Sequence, residues 1–248
     1  MMVDLPRSFA EMVGFPSAGG SVGPHGETHG TTVLALRYDK GVLVLADRRA
    51  TAGNLVMYDH AEKVIPLDDD TLIAISGAFA RSIEVCRFLR HSLKYYRRMT
   101  LNEMSLEGKL MEITKALAAN MPMAMQGLGV FLPIVAAYDR NRDTFGIYFF
   151  DGAGARFENG SYACAGSGSE RIRGVFEYLG REKPRWDRRP LADVLHDGLQ
   201  MLDIAADLDS ATGGMGKVQP VAMVLDRDGN RPVDATVLEK AVKRVLKG

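Results

Sequence analysis

Cysteine is scarce in this chain of 248 residues: Cys86 and Cys164 are the whole complement, in a helical and a strand-like context. Two thiols without metal-ligand spacing exclude a disulfide framework and a cysteine-built metal centre, and they read as buried thiols of a reducing compartment. Neither sign of charge prevails. With 31 basic and 31 acidic residues and five histidines, no summed field draws the chain to nucleic acid or to an anionic membrane. No window approaches the length and apolarity of a membrane span, and the N-terminus lacks the basic region and apolar run of a secretory leader. The expected location is the cytoplasm. Internal repeats are missing, and low complexity is confined to PSAGGSVGPHGETHG, residues 16–30.

What is present is apolar residue, 46% of the chain, enough for one large domain with a substantial core. Residues 1–30 stand apart as an appendage, a brief amphipathic segment followed by linker-like sequence. From Thr32 short β-rich runs follow one another: TTVLALRY, GVLVLAD, NLVMY, KVIPL and TLIAISG. Continuous apolarity in the first two predicts strands covered on both faces. Two helical segments come next, the second with Leu106, Leu110, Ile113, Leu117 and Met121 on one stripe and Pro122 and Gly127 marking its end. Strands resume at FLPIVAAYD, TFGIYFFD and SYACAG. Helices are expected over 170–179 and 191–206, then the strand VQPVAMVLD and a last helix capped by Asp234. This order rejects the strict alternation of a doubly wound parallel sheet. It suits an α+β fold in which two antiparallel sheets stack face to face between helical layers.

The stretch HGTT, His29 to Thr32, admits two readings. Gly30 is a turn before a strand, or Gly30-Thr31 is a bond that the protein cuts to expose Thr31. In the second case one residue carries a hydroxyl nucleophile and a free α-amine titrating at roughly 7.7–8.0, a base poised near working pH. An adjacent N-terminal amine is a recognised activator of a threonine hydroxyl. Asp47 ends the second strand and Lys63 begins another. Each alone reads as a solvated turn residue. Beside Thr31, a desolvated lysine would depress the hydroxyl and the amine by like-charge repulsion, while Asp47 would keep it charged.

TTVLALRYDKGVLVLADRRATAGN, followed by KV, ISG, GSGS and DLDSATGGMG, closely resembles the proteasome β subunit family, especially its bacterial 20S type, over essentially all of residues 31–248. The resemblance implies a four-layer αββα sandwich of the N-terminal nucleophile hydrolase fold, with residues 1–30 a propeptide. Matched position by position, Thr31 falls on the nucleophile, Asp47 and Lys63 on its partners, and Gly77 on the amide of the oxyanion hole. Ser167 and Asp209 fall on groups that orient the amine, and Thr212 is counted with the catalytic set. The separations of 16, 32 and 46 residues from Thr31 to Asp47, Lys63 and Gly77 need no gap. Ala50, Thr51, Ala61, Ile75 and Phe79 match positions around the pocket for the residue before the scissile bond, so a preference for apolar side chains is expected. Two departures stand out: Thr212 replaces the family's usual serine, and Phe79 a usual small residue.

The implied partners are a homo-heptameric β ring, α subunits, a ring-shaped ATPase and unfolded protein substrates, with no nucleic acid, membrane, metal or organic cofactor. Three rivals remain open: the smaller bacterial protease subunit that works with an ATPase of its own, a metabolic amidase of the same architecture, and a β-like subunit that only builds the ring. The histidines show no metal spacing. Asp68-Asp69-Asp70 reads as a solvated turn, and Arg185-Trp186 with Arg188-Arg189 as a loop near a subunit contact.

Overall fold

The computed structural model describes residues 30–53, 55–126 and 129–247. The segment before Gly30, including the expected amphipathic stretch, and the expected helix end at Gly127 lie outside these residues. Strands β1 (Thr32–Tyr38), β2 (Gly41–Ala46), β10 (Tyr162–Gly166), β11 (Val221–Asp226) and β12 (Gly229–Pro232) form one antiparallel sheet in the order β10-β1-β2-β11-β12. A second antiparallel sheet has the order β5 (Val64–Asp68), β6 (Thr71–Ala74), β7 (Ile134–Asp139), β8 (Thr144–Phe150) and β9 (Arg156–Asn159). A small hairpin, β3 (Ala50–Ala52) with β4 (Leu55–Tyr58), projects from the seam. The helices are α1 (Phe79–Thr100), α2 (Leu106–Met125), α3 (Ser169–Glu182), α4 (Leu191–Leu208) and α5 (Ala235–Val245).

Side-chain size sorts the layers. Along β1 and β2 the odd and even residues divide cleanly, as a period of two requires. Val33, Ala35, Val44 and Ala46 meet Val64, Leu72, Ala74, Ile134 and Ala136 of the opposite sheet. Leu34, Leu36, Leu43 and Leu45 point the other way and pack on Ile172, Phe176, Leu195 and Leu199 of α3 and α4. On the far side, Ile73, Val135 and Phe150 pack against Val85, Cys86 and Leu89 of α1 and Ile113 of α2. The result is the expected αββα sandwich, with β1 and β2 covered on both faces.

Several local expectations are corrected. Pro122 lies inside α2, three residues before its end, where its missing N–H costs the helix the bond to the Ala118 carbonyl without ending it. Helices α3 and α4 each outrun their expected bounds, and β3, β9 and β12 are additional short strands. The aspartate triplet ends in a turn that is exposed at Asp69, but its neighbours are not solvated: Asp68 forms an ion pair with buried Lys109 at 2.7 Å, and Asp70, 6% exposed, is held by the Arg140 fork. Trp186 and Arg189 are likewise buried, with the guanidinium over the indole and paired to Asp197. Cys86 is buried as expected, but Cys164 is only half-buried. Burial raises both thiols, to about 12 and about 11, which leaves them protonated and inert at neutral pH.

Candidate active site

One end of the seam between the two sheets gathers residues from five chain segments. The register of β1 with β2 pairs Val33 with Ala46, which sets Asp47 beside Thr32, and the Asp47 N–H donates to Thr32 O at 3.1 Å. The register of β1 with β10 pairs Thr32 with Gly166 and brings Ser167 next to Thr31. Gly166 has φ +97°, and a Cβ there would lie 1.8 Å from Thr31 O, so only glycine lets the two strands close at this point. Gly166→Ala is therefore expected to lose both folded yield and activity, whereas Gly174→Ala, on open surface of α3, changes neither; soluble expression and peptide turnover check this. The opposite sheet supplies Lys63 just before β5, and the turn after α4 supplies Asp209 to Gly213.

Lys63 and Asp47, 1% and 2% exposed, form a buried ion pair. Lys63 Nζ donates to Asp47 Oδ1 at 2.7 Å and to Arg49 O at 2.5 Å. The same Oδ1 accepts the Thr32 N–H at 2.8 Å, so one oxygen joins the ammonium to the residue after Thr31. Asp47 Oδ2 accepts the N–H groups of Arg49 and Gly213 at 2.9 and 2.8 Å. Burial pushes the Lys63 ammonium below its ordinary value, and the Asp47 charge opposes this without cancelling it. Such a desolvated cation exerts its field on neighbours at close range.

A second network meets Thr31 from the other side. The Thr31 N–H faces Ser167 Oγ at 3.4 Å, and Ser167 and Thr212 each place a hydroxyl 2.6 Å from Asp209 Oδ2. Burial raises the Asp209 carboxyl, but the hydrogen bonds from Ser167, Thr212 and the Ala211 N–H outweigh it and hold the group below its ordinary value. An ionised carboxylate only accepts, so both hydroxyls spend their single proton on it. Two consequences follow. Ser167 Oγ must accept from Thr31 N, and Thr32 must donate in its 2.7 Å bond with Thr212 Oγ1.

The lowered value carries a sign for stability. Asp209 contributes fully above its ordinary 3.8 and loses that contribution as pH falls through 3.8 toward the lower folded value. Asp209→Asn should thus flatten the pH dependence of the unfolding free energy below about pH 4. Denaturant titrations at several acidic pH values check this, and an unchanged slope would mean that Asp209 is not held ionised.

The Thr31 hydroxyl donates to Gly30 O at 2.7 Å, so it lies on the carbonyl group preceding its own residue. Gly30 is fixed in turn: its N–H donates to Thr51 Oγ1 at 2.9 Å, and a Cβ on it would overlap the Ala211 side chain at 1.9 Å. Gly77 has φ +99°, and a Cβ there would strike Val130 O at 2.1 Å. It forms a bridge with Phe131, bracketed by Ala78 N–H to Val130 O and Leu132 N–H to Ser76 O. In that non-hydrogen-bonded pairing the Gly77 N–H points away from Phe131, and no acceptor among the described residues takes it.

Direct contacts thus join Gly30, Thr31, Asp47, Thr51, Lys63, Ser167, Asp209 and Thr212. The remaining residues singled out from the sequence surround this network by their backbone: Ile75 N–H donates to Lys63 O and Ala61 N–H to Arg48 O, while Ala50 opens β3. The Ile75 side chain, 2% exposed, packs in the core beneath α1, and partly exposed Phe79 packs against the same cluster at the first position of α1. Sequence reasoning missed Thr32, Arg49 and Gly213. Arg49 also reaches Asp59 Oδ1 at 3.0 Å and Ser210 O at 3.1 Å, tying the hairpin to the turn that carries Asp209. Among the described residues no group of three or more His, Cys, Asp or Glu side chains is arranged to hold a metal ion.

A family profile described as "Proteasome subunit" matches residues 27–216. The chain is 38% identical over 229 residues to a proteasome subunit beta of Acidimicrobium ferrooxidans, covering 91% of this chain and 81% of that protein. It is 35% identical to the proteasome subunit beta of Acidothermus cellulolyticus over 88% of this chain and 76% of that one. With the proteasome subunit beta of Jonesia denitrificans the identity is 34%, over 86% and 70%.

Proposed function

The chain belongs to the proteasome subunit family, and from that premise we propose that it is the precursor of a catalytic β subunit, a threonine endopeptidase that activates itself by cutting Gly30-Thr31. The observation that carries this reading is the Thr31 hydroxyl seated on the Gly30 carbonyl group between the buried Lys63–Asp47 pair and the more exposed Ser167–Asp209 pair. In self-cleavage the Thr31 oxygen attacks the Gly30 carbon, the C–N bond breaks, and the nitrogen takes up a proton. That break frees the α-amine and leaves residues 1–30 esterified on the Thr31 oxygen; water then hydrolyses the ester, restoring the Thr31 hydroxyl and releasing residues 1–30 with a new Gly30 carboxylate.

The freed amine keeps its place. Ser167 Oγ, its own proton committed to Asp209, accepts an amine N–H and leaves the nitrogen lone pair to take the Thr31 hydroxyl proton. The Thr31 oxygen then attacks a substrate carbonyl, the Gly77 N–H receives the oxyanion, and the protonated amine returns its proton to the departing nitrogen. Lys63 stabilises the developing negative charge on the Thr31 oxygen. Thr51 holds the N–H of the residue before the cut, as it holds that of Gly30. The Gly30 pose itself serves self-cleavage alone, because a side chain there would overlap Ala211. Substrates therefore direct that side chain elsewhere, toward the apolar surroundings of Ala50, Ala61 and Phe79.

In this reading the chain works in the cytoplasm, in a seven-membered β ring stacked with α subunits and fed by an ATPase ring. No described helix is long and apolar enough to cross a membrane. Co-expression with an α-type partner is expected to yield a particle in which this chain has lost 30 residues and begins at Thr31. N-terminal sequencing of the assembled particle checks this, and a chain still starting at Met1 that hydrolyses apolar fluorogenic peptides would refute the mechanism.

A further inference from the structure

Far from Thr31 in the fold, on the helical layer of α3 to α5, two cavities meet at His196 and Arg244. Arg188, Arg189, His196 and Arg244 line the first, whose acids are Asp193 and Asp197. The Asp197 charge is already matched, since its carboxylate accepts from Lys183 Nζ at 2.8 Å and from Arg189 Nη2 at 2.5 Å. The second cavity carries Lys240 and Lys247 on its wall and adds no acid. In a chain with no net charge, this is a local concentration of positive charge.

One buried donor points to a missing acceptor. The Arg189 side chain is 5% exposed and stacks over Trp186. Its Nη2 is used by Asp197, but its buried Nη1 has no partner among the described residues. Buried His196 Nδ1 also has no partner among the described residues, and it donates to such an acceptor when it carries the proton. A buried guanidinium N–H without an acceptor is costly, and native structures rarely tolerate one. The N-terminus of the 18-residue helix α4 adds to the pull: Pro190, on the wall of the first cavity, precedes Leu191, and no side chain caps that end. Neither Arg188 nor Arg244 has an ion-pair partner among the described residues.

We propose that the cavity formed by Arg189, His196 and Arg244 at the start of α4 is an oxyanion-binding site. Its ligand accepts from Arg189 Nη1 and is neutralised by Arg244 and Arg188. Phosphate in solution and the carboxylate of an acidic side chain on a second copy of this chain offer this same chemistry.

The test is calorimetric titration of inorganic phosphate into the full-length chain, at ionic strength held constant with chloride, before and after assembly with an α-type partner. The free chain should bind phosphate, and Arg244→Ala, exposed and unpaired among the described residues, should weaken binding about tenfold. Arg189→Lys keeps a charge for Asp197 but loses the fork and should weaken it comparably. Binding that persists in the assembled particle assigns the site to a solution anion. Binding that disappears on assembly assigns it to the neighbouring copy's carboxylate. No phosphate-specific heat from the free chain, or unchanged affinity in both variants, overturns the proposal.

Discussion

Thr31→Ala leaves the chain at its full 248 residues after assembly with an α-type partner and lowers peptide hydrolysis by roughly a thousandfold or more. Both effects have one cause. The substitution removes the hydroxyl that lies on the Gly30 carbonyl group and is the only nucleophile the two surrounding networks converge on. Because the Thr31 side chain bonds among the described residues only to Gly30, the variant should fold and assemble normally. Thr31→Ser retains the hydroxyl and should retain self-cleavage. Intact mass and turnover of an apolar fluorogenic peptide decide the matter: thirty residues lost from the alanine variant would place the cutting nucleophile elsewhere.

The buried pair should respond asymmetrically. Lys63→Met keeps most of the side-chain volume and leaves Asp47 with three backbone donors, the N–H groups of Thr32, Arg49 and Gly213. The chain should still fold and form rings while activity falls by roughly 10²–10³-fold, the scale for losing one strong electrostatic contact to the reacting oxygen. Asp47→Ala does the reverse. It strands an ammonium that is 1% exposed and, among the described residues, has only the Arg49 carbonyl left to receive it, at a cost of about 3–5 kcal/mol. Thermal unfolding of the two variants side by side tests this. Equal destabilisation would show that the backbone donors do not sustain Asp47, and full activity in Lys63→Met would remove the lysine from the mechanism.

The layered fold was legible because it is written in residue type. The continuous apolar runs of β1 and β2 predicted cover on both faces, and the order of strands and helices predicted the sandwich. Thr31, Asp47 and Lys63 were legible for a related reason: an ionisable or nucleophilic side chain at a strand end stands out, and the spacing matched a known pattern. What escaped was backbone chemistry. The Gly213 N–H and the Arg49 carbonyl hold Asp47 and Lys63, yet every residue but proline carries both groups, so residue type says nothing of such a role. Thr32 was hidden by its neighbour, since a threonine beginning a strand is ordinary and its bond to Thr212 spans 180 positions. The burial of Asp70 was misjudged for want of its distant partner, Arg140, which makes it tolerable.

The small residues between the sheets have a consequence of their own. Thr31 and Asp47 ride on one sheet and Lys63 on the other, so the Val and Ala layer of Ala35, Ala46, Ala74 and Ala136 works as a spacer whose thickness sets the gap that the lysine must bridge. A bulkier side chain slipped into that layer would act as a shim, prying the ammonium from its carboxylate while every reactive group stayed chemically intact.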